Sequence, residues 1–388
     1  MRRIYFDHSA TTPIHPQVAK EMYRFLTGNN FGNPTSLHYF GRIARQEIEK
    51  AREKVARSIG AATSEIVFTS GGTESDNMAI QSIAYTNRDR GNHIITSAVE
   101  HHAVLNTVKA LGNQGFALTF LPVDQYGLVN IDELARHITE NTILITIMHA
   151  NNEVGTIMPF AEIGKLAKER GVIFHTDAVQ SFGKIPVNVD EFGVDLLSIS
   201  GHKIYGPKGI GALYIRQGTR WKQTLFHGGA QERLRRAGTE NVPGIVGLGK
   251  AAELAMENSE KESKKLKILR DKLIKEITSR FNHVRLTGHP LMRLPNHASF
   301  CFEDVESESL LLSLDMKGIA ASSGSACTSE SLEPSHVLLA MGIPPEVAHG
   351  SIRLTLGKDN TEEEIDYFLN TMEAIRKNCH LYLSATTS

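Results

Sequence analysis

The balance of charge in this chain favours a small-molecule ligand over nucleic acid or a membrane surface. Its 388 residues contain 42 Lys and Arg against 43 Asp and Glu, so the net charge of −1 gives no overall attraction to a polyanion. No apolar run approaches the roughly 18 residues of a membrane span, and residues 1–13 lack the apolar stretch of a signal peptide. We therefore expect a cytoplasmic protein without a nucleic-acid or membrane partner.

Short apolar runs alternate with helical periodicities from residue 16 to residue 215, which predicts an α/β fold. Such alternation is typical of a mostly parallel sheet with helices on both of its faces. The predicted helices lie at 16–27 and 42–59, and the predicted strands lie at 65–69, 93–97, 141–149, 172–176, 195–199 and 211–215.

The rest of the chain predicts long helices and then a smaller α+β unit. Residues 246–280 are helical in pattern and highly charged, which is typical of long helices leading out of a first domain. Strands are predicted at 297–302 and 351–356, and Thr361 with Glu364 forms the capping box of a final helix.

A glycine pair between a strand and a helix indicates an anion site. Residues 70–73 (Ser-Gly-Gly-Thr) follow the strand at 65–69 and open a helical pattern. Two glycines let the backbone approach a ligand, and the free N–H groups of a first helical turn suit a phosphate. The alternative is a plain turn, which is common in α/β proteins and fits the missing P-loop lysine.

Other strand ends supply amine, acid and aromatic groups. His101, Asn152, Asp177 and Lys203 each follow a predicted strand. Ligands of such sheets bind beyond the carboxyl ends of the strands, so we expect these side chains to converge with Thr73. They provide what pyridoxal phosphate requires, namely an amine for its aldehyde, a carboxylate for its pyridine nitrogen, a phosphate cradle and a stacking ring.

Simpler interpretations exist for several of these residues. Lys203 lies beside a turn and could be solvated, although partial burial would favour the neutral amine that forms a Schiff base. The adjacent His101 and His102 cannot face the same way, and without an HExxH motif or a second cluster we expect no metal site. An aromatic or acid–base role is plausible for one of the two histidines.

Three features outside the sheet leave two interpretations each. The glycine- and arginine-rich residues 228–241 predict a long exposed loop, which could be only a solvated charge patch. Arg353 lies in an apolar strand and needs an anion, either a structural carboxylate or that of an amino-acid substrate. Cys327 lies in a Ser/Gly-rich loop, where an exposed thiol is either a nucleophile or accidental, whereas Cys301 should pack in the core.

Eight motifs in order give the chain a resemblance to a known family. It resembles the NifS/IscS-type cysteine desulfurases, which are fold-type I pyridoxal-phosphate enzymes of the class V aminotransferase group. The motifs are YFDHSATTP (5–13), SGGTESDN (70–77), EHHAV (100–104), HANNEVG (149–155), HTDAVQSFGK (175–184), SGHKIYGPKGIG (200–211), RRAGTEN (235–241) and SSGSACTS (322–329).

The resemblance assigns a role to each site residue. Lys203 would carry the cofactor as an imine, Asp177 would pair with the pyridine nitrogen, and Gln180 would bind the phenolic oxygen. His101 would stack on the ring and help to move protons. The remaining implied residues are the phosphate ligands Gly72, Thr73, Ser200 and His202, with Thr239 from a second subunit of a homodimer, and the substrate-carboxylate ligands Asn152 and Arg353.

The implied reaction converts L-cysteine to L-alanine. Cys327 would accept the sulfur as a persulfide and pass it to an acceptor protein for iron–sulfur cluster assembly or thiolation. The resemblance also implies a large cofactor-binding domain at 14–257 and a small domain, formed by 1–13 and 258–388, that carries a mobile Cys327 loop.

The family resemblance leaves the acceptor and two other activities open. After Arg376 the chain departs from housekeeping bacterial members, whose longer tail binds an iron–sulfur scaffold, and Cys379 in this tail receives no role. Alternatives within the class V group are selenocysteine lyase and a transaminase. A catalytically silent scaffold of the same fold is the alternative outside enzymes.

Overall fold

A computed structural model of the chain describes residues 3–28, 30–303, 305–324 and 334–385, with side chains to Arg376. The strands are β1 (Ile4–Tyr5), β2 (Ile66–Thr69), β3 (His93–Ser97), β4 (Ala117–Leu121), β5 (Thr142–Thr146), β6 (Ile173–Asp177), β7 (Leu196–Ser200), β8 (Gly211–Ile215), β9 (Val284–Leu286), β10 (His297–Phe302), β11 (Ile319–Ala320) and β12 (Ser351–Thr355). The helices are α1 (Pro16–Leu26), α2 (Tyr39–Ser58), α3 (Gly72–Thr86), α4 (His102–Gly112), α5 (Ile131–His137), α6 (Phe160–Arg170), α7 (Val189–Phe192), α8 (Val242–Arg280), α9 (Ser307–Asp315), α10 (His336–Ala340), α11 (Pro345–Ala348) and α12 (Glu362–Ala385).

A seven-stranded sheet organises the larger part of the described chain. Its strand order is β2-β8-β7-β6-β5-β3-β4, and β8 alone in it pairs antiparallel with both of its neighbours. Every residue of β3, β5, β7 and β8 is buried, which explains why adjacent apolar residues replace the strict alternation of a half-exposed strand. The predicted α/β fold with a mostly parallel sheet is confirmed.

The topology brings several strand ends to one edge of this sheet. β3, β5, β6 and β7 are parallel, so Ser97, Thr146, Asp177 and Ser200 end at the same edge. β2 also runs in their direction, since β8 is antiparallel to both β2 and β7. The start of α3, two residues after β2, therefore lies at that edge as well.

A smaller unit packs around a separate apolar cluster. It contains the antiparallel sheet β12-β10-β9 and the parallel pair β1-β11. Ile4 and Phe6 from the start of the chain join Phe300, Ile352 and residues of α12 in its core. The α+β unit predicted from the sequence is confirmed, and the division at residue 257 stays a prediction.

One helix, α8, replaces the several long helices that we expected over residues 246–280. It runs without interruption for 39 residues and begins where the Asn241 side chain accepts a hydrogen bond from the N–H of Gly244. The helix carries buried residues over 242–252, which pack in the large core, and again over 266–277, which pack in the small core.

The final helix begins with the capping box predicted from the sequence. The Thr361 hydroxyl accepts from the N–H of Glu364 at 3.4 Å, and the Glu364 carboxylate accepts from the N–H of Thr361 at 3.3 Å. No helix within the described ranges is both long enough and apolar enough to cross a bilayer.

Candidate active site

A cavity of about 370 Å³ lies at the edge of the sheet where the parallel strands end. Residues 7–10 close one side of it, and Arg353 reaches it from β12 of the smaller unit. Ten of the residues singled out in the sequence line this cavity: Gly72, Thr73, His101, Asn152, Asp177, Gln180, Ser200, His202, Lys203 and Arg353. The expected convergence of the strand ends is confirmed.

The turn between β2 and α3 presents backbone donors to the cavity. Gly71 has a φ of 155°, and a Cβ added at Gly72 would lie 2.7 Å from a methyl carbon of Val179. Glycine is therefore required for this close approach. No side chain caps the 15-residue helix α3, so its first N–H groups face the cavity beside Thr73. This arrangement is an anion cradle.

Lys203 lies in the single 3₁₀ turn that follows β7. Its Nζ donates hydrogen bonds to the carbonyl oxygens of Ser9 and Ala10, the latter at 2.8 Å. Thr12 fixes this contact, because its N–H and hydroxyl both donate to the carbonyl of His202 at 2.9 Å. The sequence showed the motif at 5–13 but not that its carbonyls hold the lysine.

Asp177 ends β6 with its carboxylate buried at the floor of the cavity. Its Oδ1 accepts a hydrogen bond from the N–H of Val179 at 2.8 Å. Burial raises the pKa of Asp177 to about 6, although this hydrogen bond and the charge of Lys203 favour the ionised form.

Two further buried carboxyl groups, which the sequence reasoning missed, lie near Asp177. Burial raises the pKa of Glu100 to about 8, while its Oε1 accepts from the Ser97 hydroxyl at 2.6 Å and from the N–H of Met148 at 3.0 Å. Burial, and then repulsion by Asp177, raises the pKa of Asp76 well above its ordinary value. Asp177 thus ionises at a lower pH than Glu100, and its charge opposes the ionisation of Asp76.

A buried histidine beside Asp76 also escaped the sequence reasoning. The His175 ring lies between the hydroxyls of Thr146 (Nδ1, 2.8 Å) and Ser198 (Nε2, 3.0 Å), with Asp76 at 3.7 Å. Burial lowers the pKa of His175 to about 3. The ring is therefore neutral and carries no positive charge that could pair with the Asp177 carboxylate.

His101 caps α4 at the mouth of the cavity. Its Nδ1 accepts a hydrogen bond from the N–H of Ala103 at 3.1 Å, which leaves the proton of the neutral ring on Nε2. Burial, with smaller contributions from Lys203 and His102, lowers the pKa of His101 to about 4. A neutral ring of this kind can stack on a flat ligand and still donate from Nε2.

Arg353 forms an ion pair with a structural carboxylate, that of Asp7, which is one of the two kinds of partner expected from the sequence. Its Nη2 lies 3.1 Å from Oδ1 of Asp7, and its Nη1 donates to the carbonyl of Asn152 at 3.2 Å. Its Nε is buried and has no hydrogen-bond partner in the described part of the chain. The guanidinium is thus oriented by Asp7 and still has a donor left.

The arginine-rich segment is not only a solvated charge patch. Glu232 is buried and forms a bidentate ion pair with Arg52 at 2.7 and 2.8 Å, and it also accepts from the N–H of Phe68. This pair holds residues 232–234 in the left-handed region, with φ values of 44°, 56° and 63°. Thr239 is exposed and does not line the cavity of its own chain, and Cys327 lies outside the described residues.

Residues 4–368 match the family model described as Aminotransferase class-V. The chain belongs to this family. Among class-V relatives, a cysteine desulfurase IscS of Dictyoglomus turgidum is 56% identical over 96% of this chain and 94% of its own length. A cysteine desulfurase IscS of Methanosarcina thermophila is 55% identical over 96% of this chain and 92% of its own length.

Two solved structures share the fold of this chain. A NifS-like protein superimposes with a TM-score of 0.91 at 42% identity, covering 97% of this chain and all of the other. A protein described as SspA in complex with cysteine superimposes with a TM-score of 0.81 at 38% identity, covering 92% of this chain and all of the other.

Proposed function

We propose that this class-V protein is a pyridoxal-phosphate-dependent cysteine desulfurase. It converts L-cysteine to L-alanine and transfers the sulfur to Cys327 as a persulfide. The observation that carries the proposal is the convergence of Lys203, Asp177, His101 and an anion cradle around one cavity. Relatives at 55 and 56% identity that are named cysteine desulfurase IscS support it.

The residues of the cavity fit pyridoxal phosphate. Its phosphate suits the uncapped start of α3 with Thr73, Ser200 and His202, because Gly72 leaves no side chain in the way. When bound, the cofactor draws electrons from the α-carbon of an amino acid attached to it. Asp177 suits the pyridine nitrogen, since it lines the cavity and ionises at a lower pH than the buried Glu100.

Two side chains, those of Lys203 and His101, would then carry out the proton transfers. Lys203 Nζ can give or take a proton at the cofactor, and the carbonyls of Ser9 and Ala10 stabilise its ammonium form. His101 presents the proton on Nε2 from the mouth of the cavity while its Nδ1 is held by the backbone.

The substrate carboxylate would bind beside Arg353 and Asn152. Asp7 fixes the plane of the guanidinium, and Arg353 lines the cavity, where its positive charge suits a second carboxylate. L-cysteine as the substrate agrees with the solved relative that is described in complex with cysteine.

We also propose a homodimer in which Thr239 completes the partner's phosphate site. Large apolar side chains are exposed together over residues 23–40, with Tyr23, Leu26, Phe31 and Tyr39 between 61 and 72% accessible. Clustered exposure of this kind is typical of a protein interface. The Arg52–Glu232 ion pair holds the segment that ends in Thr239.

The proposal also covers the protein that accepts the sulfur, the cellular location and the roles of the two domains. The persulfide would pass to an iron–sulfur scaffold or a thiolation protein in the cytoplasm. Residues 14–257 would bind the cofactor, and residues 1–13 with 258–388 would carry the Cys327 segment.

Two variants test the proposal. Cys327→Ala should keep the cofactor absorption of the parent but release no sulfide from L-cysteine, whereas Cys301→Ala, in the buried core, should keep its sulfide release. Lys203→Ala should abolish the imine that borohydride reduces. Normal sulfide release by Cys327→Ala would refute the desulfurase and favour selenocysteine lyase or another class-V activity, and labelling of a lysine other than Lys203 would refute the cofactor assignment.

A further inference from the structure

Lys184 has no role in the site described so far, yet it contacts one of its cofactor ligands. Its Nζ donates to Oε1 of Gln180 at 3.0 Å. The two residues are four apart in the turns that follow β6, where the N–H of Phe182 bonds to the carbonyl of Ala178. This spacing places both side chains on the same face.

This contact fixes which end of the Gln180 amide faces the cavity. The carbonyl of Ser9 can only accept, so the amide atom that meets it must be the nitrogen, and the protonated Lys184, which can only donate, meets the oxygen on the other side. The amide nitrogen then points the other way, where one of its protons goes to the carbonyl of Ser9 at 3.0 Å. Gln180 lines the cavity, so the second Nε2 proton is available to an acceptor there.

The turn that carries Lys184 lies against the turn of the proposed catalytic lysine. Gly183 has a φ of 74°, and a Cβ at this position would lie 2.7 Å from Ile204, the residue after Lys203. The carbonyl of Ser9 accepts from both Gln180 and Lys203. Hydrogen bonds therefore link Lys184, through Gln180 and Ser9, to the amine of Lys203.

Cations surround Lys184. Burial, followed by the charges of Lys203 and Arg353, lowers the pKa of Lys184 to about 7. In turn, the charge of Lys184 helps to lower the pKa of His8 and His202, each to about 4. Among the described residues no carboxylate forms an ion pair with Lys184, and burying an unpaired cation costs more than a purely structural role would justify.

We infer that Lys184 is a positioning residue that orients the Gln180 amide so that its nitrogen donates to the phenolic oxygen of the cofactor. The inference rests on the proposed function and adds a residue to it. A phenolic oxygen that accepts this bond is stabilised as the anion, and the nearby cation opposes protonation of the imine on Lys203. Both effects lower the pH at which that imine loses its proton.

The test is a pH titration of the absorption of the lysine–cofactor imine in purified holoenzyme, without substrate. In Lys184→Met the midpoint should rise by about one pH unit, and Lys184→Arg, which keeps a donor and a charge, should titrate like the parent. In a Gln180→Leu background the same Lys184→Met change should shift the midpoint by less than half as much, because no amide remains to be oriented. If Lys184→Met does not fold, Lys184→Leu, which also lacks a donor and a charge, replaces it with the same expectation.

Two results would overturn this role. An unchanged midpoint in Lys184→Met would show that Lys184 does not influence the cofactor. An equally large shift in the Gln180→Leu background would show that Lys184 acts through its charge alone and does not position Gln180. Failure of the proposed function looks different, because the parent itself would then show no imine absorption and no borohydride label at Lys203.

Discussion

Replacing Glu100 by glutamine probes how the three buried carboxyl groups share one negative charge. Glu100 is fully buried, and both hydrogen bonds that it accepts go to Oε1, from Ser97 and Met148. Glutamine keeps that oxygen but places an NH₂ group at Oε2, which has no partner in the described chain. The variant thus removes a titratable carboxyl group and adds two N–H donors that have no acceptor in the described chain.

The size of the effect follows from the pKa of Glu100. Burial raises it from 4.5 to about 8 in the folded protein. A carboxyl group with a raised pKa contributes stability that is complete below pH 4.5 and is lost as the pH rises through about 8. Each pKa unit corresponds to about 1.4 kcal/mol, so the parent should lose about 5 kcal/mol of unfolding free energy over this range.

The stability order of the two proteins should therefore reverse with pH. At pH 5 Glu100→Gln should be less stable by about 1–3 kcal/mol, because its buried amide protons lack acceptors. At pH 9 it should be more stable by about 2–4 kcal/mol, because the parent then buries an ionised carboxylate. At pH 7 cofactor binding should survive, since Glu100 is already neutral there and Asp177 carries the charge.

Urea unfolding of cofactor-free protein, followed by circular dichroism at pH 5, 7 and 9, measures this reversal. Glu53→Gln on the exposed face of α2 is the matched control and should follow the parent at every pH. Parallel stability profiles for the parent and Glu100→Gln would show that Glu100 does not titrate in this range, and the ordering of the buried acids would then be wrong.

Three more predictions concern ion pairs and histidines. Arg52→Met should lower the unfolding free energy by about 3–5 kcal/mol because it leaves Glu232 buried and unpaired, whereas Arg24→Met in an exposed pair should change it by less than about 1 kcal/mol; equal losses in urea unfolding would contradict this. Arg353→Lys should raise KM for L-cysteine at least about tenfold with a smaller change in kcat, since a lysine cannot keep the contacts with Asp7 and Asn152 and still donate to the substrate. Steady-state sulfide release measures it, and an unchanged KM would argue against the carboxylate role. Burial lowers the pKa of His149 to about 4, so its contribution to stability is complete above pH 6.5 and is lost as the pH falls towards 4. His149→Leu should therefore reduce the fall in melting temperature between pH 6.5 and pH 4. An unchanged fall would exclude this contribution.

The structural features that depend on residues close together in the sequence were predicted best. The strand at 211–215 and the capping box of Thr361 and Glu364 were correct because period, turn residues and caps are local properties. The convergence of His101, Asp177 and Lys203 was also predictable, since parallel strands place their ends at one edge.

Contacts between distant parts of the chain were not predictable in the same way. Nothing local connects Asp7 with Arg353, which are 346 residues apart, or Ser9 with Lys203, which are 194 apart. The burial of Glu232 within a charged loop likewise depends on Arg52, 180 residues earlier. The proximity of Asp76 to Asp177 depends on the packing of α3 against the sheet, which no pattern in the sequence specifies.

The continuity of α8 has a consequence for how the protein comes apart. At 1.5 Å per residue its 39 residues form a rod about 58 Å long. Residues 253–265 in its middle contain no fully buried side chain, so each end of the helix is anchored in a different core. Melting of either core therefore removes the support of half of a helix that the other core also needs. Denaturation should then proceed as a single cooperative event rather than piecewise, and a proline placed at Ser259 should split it into two steps.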